Sequence, residues 1–201
     1  MNGYTSTSDR GNAADTPGTA DLHFLVPLLM PLVSATHGFI LPAAPLVQAR
    51  KAARAIMGAQ PPDTVIQARK TNRPFLQRWH LLCSDSASIY LHRFLSSDDD
   101  WALHTHPADS LSVILSGSYL EETPADPHDP AGDRMRTRRF DGDAVVRKAK
   151  APHRIALETD GDGVEQPAEA LFILGPRTHD WGFWCPDGWR GKDDFFARGC
   201  S

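Results

Sequence analysis

The sequence predicts an all-β fold, a sandwich or barrel of short strands, with a partly helical N-terminal extension. Three observations predict it. The 201 residues fit one domain plus extensions. Sixteen prolines and fifteen glycines suit many short elements joined by turns better than a bundle of long helices. From Phe75 onward, strand-length runs rich in β-branched, aromatic and leucine residues recur at a spacing of roughly ten residues. The composition also excludes some classes. A chain that is 41% hydrophobic and 23% charged, with net charge -4, is neither fibrous nor wholly disordered, and it lacks the basic excess of a dedicated nucleic-acid binder.

Residues 1–21 are Gly, Ser, Thr, Asp and Ala with almost no large apolar side chain, and read as a disordered tail. The most apolar stretch follows at 24–47. A secretory leader would begin with positive charge, whereas Asp9, Asp15 and Asp21 outnumber Arg10. A membrane helix needs about 20 continuous apolar residues, and Pro27, Pro31, His37, Gly38, Pro42 and Pro45 interrupt this one. The expectation is a segment docked on the core or on a partner, with no membrane association. After Pro45, Leu46, Ala49, Ala53, Ile56 and Met57 share a helical face, with Arg50, Lys51 and Arg54 around the solvated side and Gly58 where the helix would stop. Residues 22–70 thus form the extension, and Gln60-Pro61-Pro62-Asp63 is a linker within it. The main domain is expected over 71–195, with a short tail at 196–201.

The expected strands are 75–83, 88–95, 110–122, 136–140, 143–148, 153–158, 170–175 and 181–185. Between them lie SSDDD, TPADPHDPAGD, TDGDGVEQP and CPDG, all turn-forming. Cys83, Cys185 and Cys200 are odd in number and lack CxxC spacing, so neither a disulfide nor a cysteine zinc site is expected, and a reducing cytoplasm fits.

Nine histidines are the unusual count. In His104-Thr105-His106 the two imidazoles share one face of an extended chain and can converge on one ion. Imidazole suits iron, zinc, copper and nickel. Ser110 and Gly117 follow, and a second block runs from Gly142 to His153, where a turn and a hairpin can return a third histidine.

These two blocks resemble the paired motifs of the cupins, small double-stranded β-helix (jelly-roll) barrels. The first cupin motif, G-x5-H-x-H-x3-4-E-x6-G, is matched at His104, His106 and Gly117, with Ser110 in place of the glutamate. The second, G-x5-P-x-G-x2-H-x3-N, is matched at Gly142 and His153, with Lys148, Lys150 and Leu157 replacing the other positions. The chain is similar, more closely, to an uncharacterised cupin-like group of phage and bacterial genomes, through YLHRFLSSDDDWALHTHPADSLSVILSGSY, His153-Arg154-Ile155 and GPRTHDWGFWCPDGW. The resemblance implies a divalent metal held by His104, His106 and His153, Fe(II) before Zn, Ni or Mn. Strand parity favours Ser110 facing inward, but Pro107 can break that parity and make Asp109 a fourth ligand. Without a carboxylate, three neutral imidazoles leave open positions for an anionic substrate.

Other candidates have plainer readings. His92, Tyr119 and Asp109 are the catalytic candidates, the first two also readable as core residues. Arg93 is expected to pair with the Asp98–Asp100 run. His179-Asp180 reads as a structural pair, Asp160-Gly161-Asp162-Gly163 as a hairpin turn, and Trp181, Phe183, Trp184 and Trp189 as core closure. Arg134, Arg136, Arg138 and Arg139 form a basic strip, either an edge guarded by charge or an anion site. The functional expectation is a cytoplasmic, metal-dependent oxidoreductase, an Fe(II) oxygenase or dioxygenase on a small polar molecule, as a homodimer. A non-catalytic binding module and a Zn or Ni isomerase or lyase are the alternatives.

Overall fold

A computed structural model describes residues 39–40, 42–98 and 101–200. The expected tail at 1–21 and most of the apolar stretch lie outside the described residues. Helix α1 (Ala43–Ala59) comes first among the long elements. Pro45 sits in its first turn, where a missing N–H is no loss. Leu46, Ala49, Ala52, Ala53 and Ile56 are its buried stripe, and the alanines let it lie close to its neighbour. The helix runs through the expected stop at Gly58, which is exposed with nothing near its Cβ position, and ends at Gln60. Nor is the basic face uniformly solvated: Arg50 donates from Nε to the Leu115 carbonyl at 2.6 Å and pairs with Asp141, anchoring the helix.

The strands are β1 (Phe39–Ile40), β2 (Thr64–Gln67), β3 (Pro74–Cys83), β4 (Ser88–Phe94), β5 (Leu103–His104), β6 (Ser110–Ser116) and β7 (Ser118–Pro124). They continue with β8 (Arg134–Phe140), β9 (Asp143–Arg147), β10 (Arg154–Leu157), β11 (Ala168–Leu174), β12 (Gly182–Cys185) and β13 (Gly188–Gly191). All eight expected segments are in strands, but 110–122, expected as one, is two: Gly117, at positive φ, turns the chain between β6 and β7. Sequence reading missed the short β1, β2, β5 and β13, whose two to four residues carry too little periodicity to register. Because β2 pairs with β3 and α1 packs on the sheet, the folded unit begins well before residue 71.

A seven-stranded sheet has the order β1-β9-β6-β11-β4-β3-β2, and its neighbouring strands are antiparallel. Alternation along each strand divides its side chains between two cores. Trp79, Leu91, Leu111, Val113 and Leu171 meet α1 on one face. Leu76, Phe94, Ile114 and Ala170 point the other way and pack with Tyr119, Ile155 and Leu157 of the facing sheet, β10-β7-β8. Strand β6 is buried on both faces, which suits its consecutive Val113, Ile114 and Leu115. The space between the two sheets is the barrel interior.

Gly117 makes the turn from β6 to β7 at φ 77°, and a Cβ there would lie 2.7 Å from the Pro167 carbonyl oxygen. Gly117→Ala should therefore cost about 1–3 kcal/mol, read as a lower urea midpoint; an unchanged midpoint would show that the turn can relax.

A third sheet, β13-β12-β5, closes one end and supports helix α2 (Lys192–Arg198). Phe183 stacks on Phe195 at 3.7 Å, beside Trp181. Here the cysteine expectation is corrected. Cys185 and Cys200 form a disulfide with Cα atoms 5.2 Å apart, invisible to motif reading because the two share no short spacing. A structural disulfide also sits poorly with a reducing compartment. No helix among the described residues is long and apolar enough to cross a membrane.

Two surface expectations find their partners. Arg93 pairs with Glu169 of the neighbouring strand at 2.8 Å, while Asp98, the one described residue of the acidic run, accepts from the Ile155 N–H instead; the rest of that run lies outside the described residues. The arginines of β8 are matched by carboxylates: Arg134 and Arg136 by Glu122, Arg138 by Glu158, Arg139 by Glu121. With β8 at the edge of its sheet, that network fits the charged-edge reading of the strip rather than the anion site.

Candidate metal centre

Three short elements bring the motif histidines together. His104 ends β5 and is bridged to His153 through both backbones: the His104 N–H donates to the His153 carbonyl at 2.8 Å, and the His153 N–H returns the bond at 3.0 Å. Thr105 is turned the other way and clamped, its N–H donating to the Gly182 carbonyl at 2.9 Å and its hydroxyl accepting from the Gly182 N–H at 3.1 Å. That clamp leaves His104 and His106 on a common side. The His106 N–H donates to the Ala149 carbonyl at 3.0 Å, tying the loop to the turn before His153.

One ligand atom from each of His104, His106 and His153 lies within 4.8 Å of the others. Nε2 of His106 and Nε2 of His153 are 3.2 Å apart. Burial pushes all three imidazoles below the ordinary histidine value, well below it for His106 and His153; each also feels the Arg147 cation. At neutral pH the rings are therefore uncharged, with lone pairs available for coordination. Asp98 is the larger of two opposing influences at His104, Glu121 being the other. Its Oδ2 lies 3.5 Å from His104 Nδ1 and accepts from the Ile155 N–H at 2.7 Å. A carboxylate beside Nδ1 leaves the Nε2 side of the ring open toward the other two histidines. Three convergent, neutral nitrogen donors with one ring oriented from behind fit a divalent transition metal.

No protein-family model and no curated protein sequence matches the chain. Solved structures do resemble it. One, described as DMSP lyases RdDddP and RnDddQII, is 14% identical, covers 79% of this chain and 88% of its own, and has a TM-score of 0.52. The DMSP lyase DddQ from Ruegeria pomeroyi DSS-3 is 19% identical over 79% of this chain and 71% of its own, with a TM-score of 0.44. A cupin superfamily protein from Desulfitobacterium hafniense DCB-2 is 21% identical over 55% of this chain and 84% of its own, with a TM-score of 0.38. The chain has the cupin fold. The narrower likeness to a phage and bacterial group finds no matching family model.

The cupin barrel places the remaining candidates as follows. Asp109 faces outward, its carboxylate accepting from Lys148 Nζ and the Ala149 N–H, each at 2.9 Å. Ser110 is the inward residue, fully buried, and its Oγ has no hydrogen-bond partner. His92 points into the barrel, stacked on Phe172 at 4.9 Å, and its Nε2 accepts from Arg78 Nε at 2.9 Å. Tyr119 is buried with its hydroxyl 3.4 Å from Arg147. His179 is exposed, with Nδ1 2.7 Å from the Thr178 hydroxyl, apart from the histidine trio.

Three interior residues escaped sequence reading: Asp98 behind His104, and the buried pair Arg147–Glu121, whose Nε and Oε1 are 2.6 Å apart. Asp98 was hidden in a loop-like acidic run. Arg147 and Glu121 each sit at an inward parity position of a short strand, a signal that emerges only once register is known. Asp98→Asn should weaken metal affinity about 10–100-fold while leaving thermal stability of the metal-free chain near wild type. Titration with Zn(II) against a competing chelator checks it, and wild-type affinity would remove Asp98 from the site.

Proposed function

We propose that this cupin is a metal-dependent enzyme, foremost an Fe(II) oxygenase or dioxygenase acting on a small polar molecule. The observation that carries the reading is the convergence of three uncharged imidazoles, from His104, His106 and His153, on one point inside the barrel. Iron(II) held by these residues would supply Lewis-acid and one-electron chemistry. The chain's own residues supply the rest. Asp98 holds the His104 ring in its coordinating orientation. Phe172 lies 5.3 Å from the His106 ring and 4.9 Å from His92, an apolar wall that keeps water from that side. His92, with its Nε2 lone pair taken by Arg78, carries its proton on Nδ1 and acts as a donor rather than a base.

The test is anaerobic loading with Fe(II), followed by oxygen-consumption assays across amino acids, thiols, diketones and phenols. Oxygen uptake in step with loss of one substrate class is the expected result. Tight binding of one class without turnover would mark a ligand-binding module instead. Turnover that needs zinc or nickel and no oxygen would mark an isomerase or lyase. A second copy of the chain is the proposed partner, checked by sedimentation of the full chain.

A further inference from the structure

The barrel interior beside the histidines contains unspent hydrogen-bond donors. Arg147 on β9 and Ser110 on β6 are register partners on the inward face. The Arg147 guanidinium is buried and donates from Nε to Glu121, from one terminal nitrogen to Ser112 Oγ at 2.9 Å, and from the other to the Tyr119 hydroxyl at 3.4 Å. A guanidinium carries about five N–H groups in a planar fork, so two of them have no acceptor among the described residues. The Ser110 hydroxyl beside it is completely buried and also without a partner.

Charge at this point is unevenly matched, one carboxylate serving two guanidiniums. Glu121, the carboxylate that meets Arg147, is shared with Arg139, whose side chain bonds its other oxygen at 2.7 Å. Buried positive charge and unmade hydrogen bonds are each costly unless an acceptor arrives. A carboxylate matches these donors: its two oxygens lie in a plane and can accept from a planar fork and one hydroxyl.

We propose that Ser110 and Arg147 form a subsite for the carboxylate of a small organic acid, placed beside the three-histidine centre. This rests on the enzyme reading above only for what the neighbouring centre does; the subsite itself is a property of β6 and β9. It narrows the substrate class to small carboxylic acids and orients them with the acid group toward Arg147.

The probe is acetate, with acetamide as its uncharged isostere. Both are titrated into the full-length, 15N-labelled chain, metal-free and loaded with Zn(II), while the Arg147 Nε–H resonance is followed. Acetate should move that resonance in a saturable way and acetamide should not. Ser110→Ala, which leaves the Arg147–Glu121 pair intact and removes an unpartnered buried hydroxyl, should weaken acetate about tenfold with thermal stability of the free chain at or above wild type. Replacing Arg147 itself risks the fold, so Ser110 is the informative position. An unmoved Arg147 resonance in both forms, or wild-type acetate affinity in Ser110→Ala, would overturn the subsite. Acetate binding in a chain that takes up no Zn(II) would uphold the subsite and sink the metal reading instead.

Discussion

Replacing His104, His106 and His153 together with alanine is expected to abolish stoichiometric metal binding. The purified wild-type chain should carry close to one divalent ion, measured by elemental analysis after dialysis against a weak chelator, and the triple variant essentially none. Each single alanine variant should lose more affinity than the about 10–100-fold assigned to an outer partner, because it removes a donor nitrogen. The cavities left are small and beside the backbone bridge of His104 and His153, so the apo variants should stay folded by circular dichroism. Full metal content in the triple variant would rule out this site.

Arg147→Met is expected to be the most destabilising single change in the barrel. It strips Glu121 of its 2.6 Å partner in a place where both side chains are almost wholly buried, and breaking such a pair costs about 3–5 kcal/mol. Arg139 still reaches Glu121, which holds the loss toward the lower figure. Removing both charges, as Arg147→Met with Glu121→Met, should recover most of it, since the penalty lies in the stranded carboxylate. Chemical denaturation of the four proteins closes the cycle, and additivity would show the two groups to be uncoupled.

The same pair sets a pH dependence. Burial alone would raise the Glu121 carboxyl, but Arg147 and Arg139 hold it below its ordinary value. A folded-state value below the unfolded one adds stability above the unfolded pKa, about 4.3, and that stability disappears as pH falls through the folded value. Wild-type stability should thus decline in acid below about pH 4.3, and Glu121→Gln should flatten the decline.

The strand-rich domain and the histidine trio were legible in the sequence because each rests on local signals. Period-2 runs such as Ser88–Phe94 declare themselves, and His104-x-His106 carries its geometry in its spacing. What stayed hidden depends on partners distant in the chain. Asp98 is a loop residue until the Ile155 N–H fixes it 57 positions away, and Arg147 is a strand charge until β6 and β7 surround it. The disulfide is of the same kind, joining Cys185 to Cys200 only because α2 folds back on β12. The Ala49, Ala52 and Ala53 stripe reads as weak amphipathicity, yet it is the smallness of those side chains that seats the helix against Trp79 and Leu91.

The reciprocal main-chain bridge between His104 and His153 has one more consequence. The spacing of His104 and His153, two of the three proposed donors, is set by peptide groups, so the proposed chelate would need no ion to assemble it. Entry then requires no rearrangement of strands, and one ion can replace another without the barrel opening. Which element occupies the centre in the cell would follow supply and exchange rate, so the same chain isolated under different growth conditions should emerge with different metals and one unchanged shape.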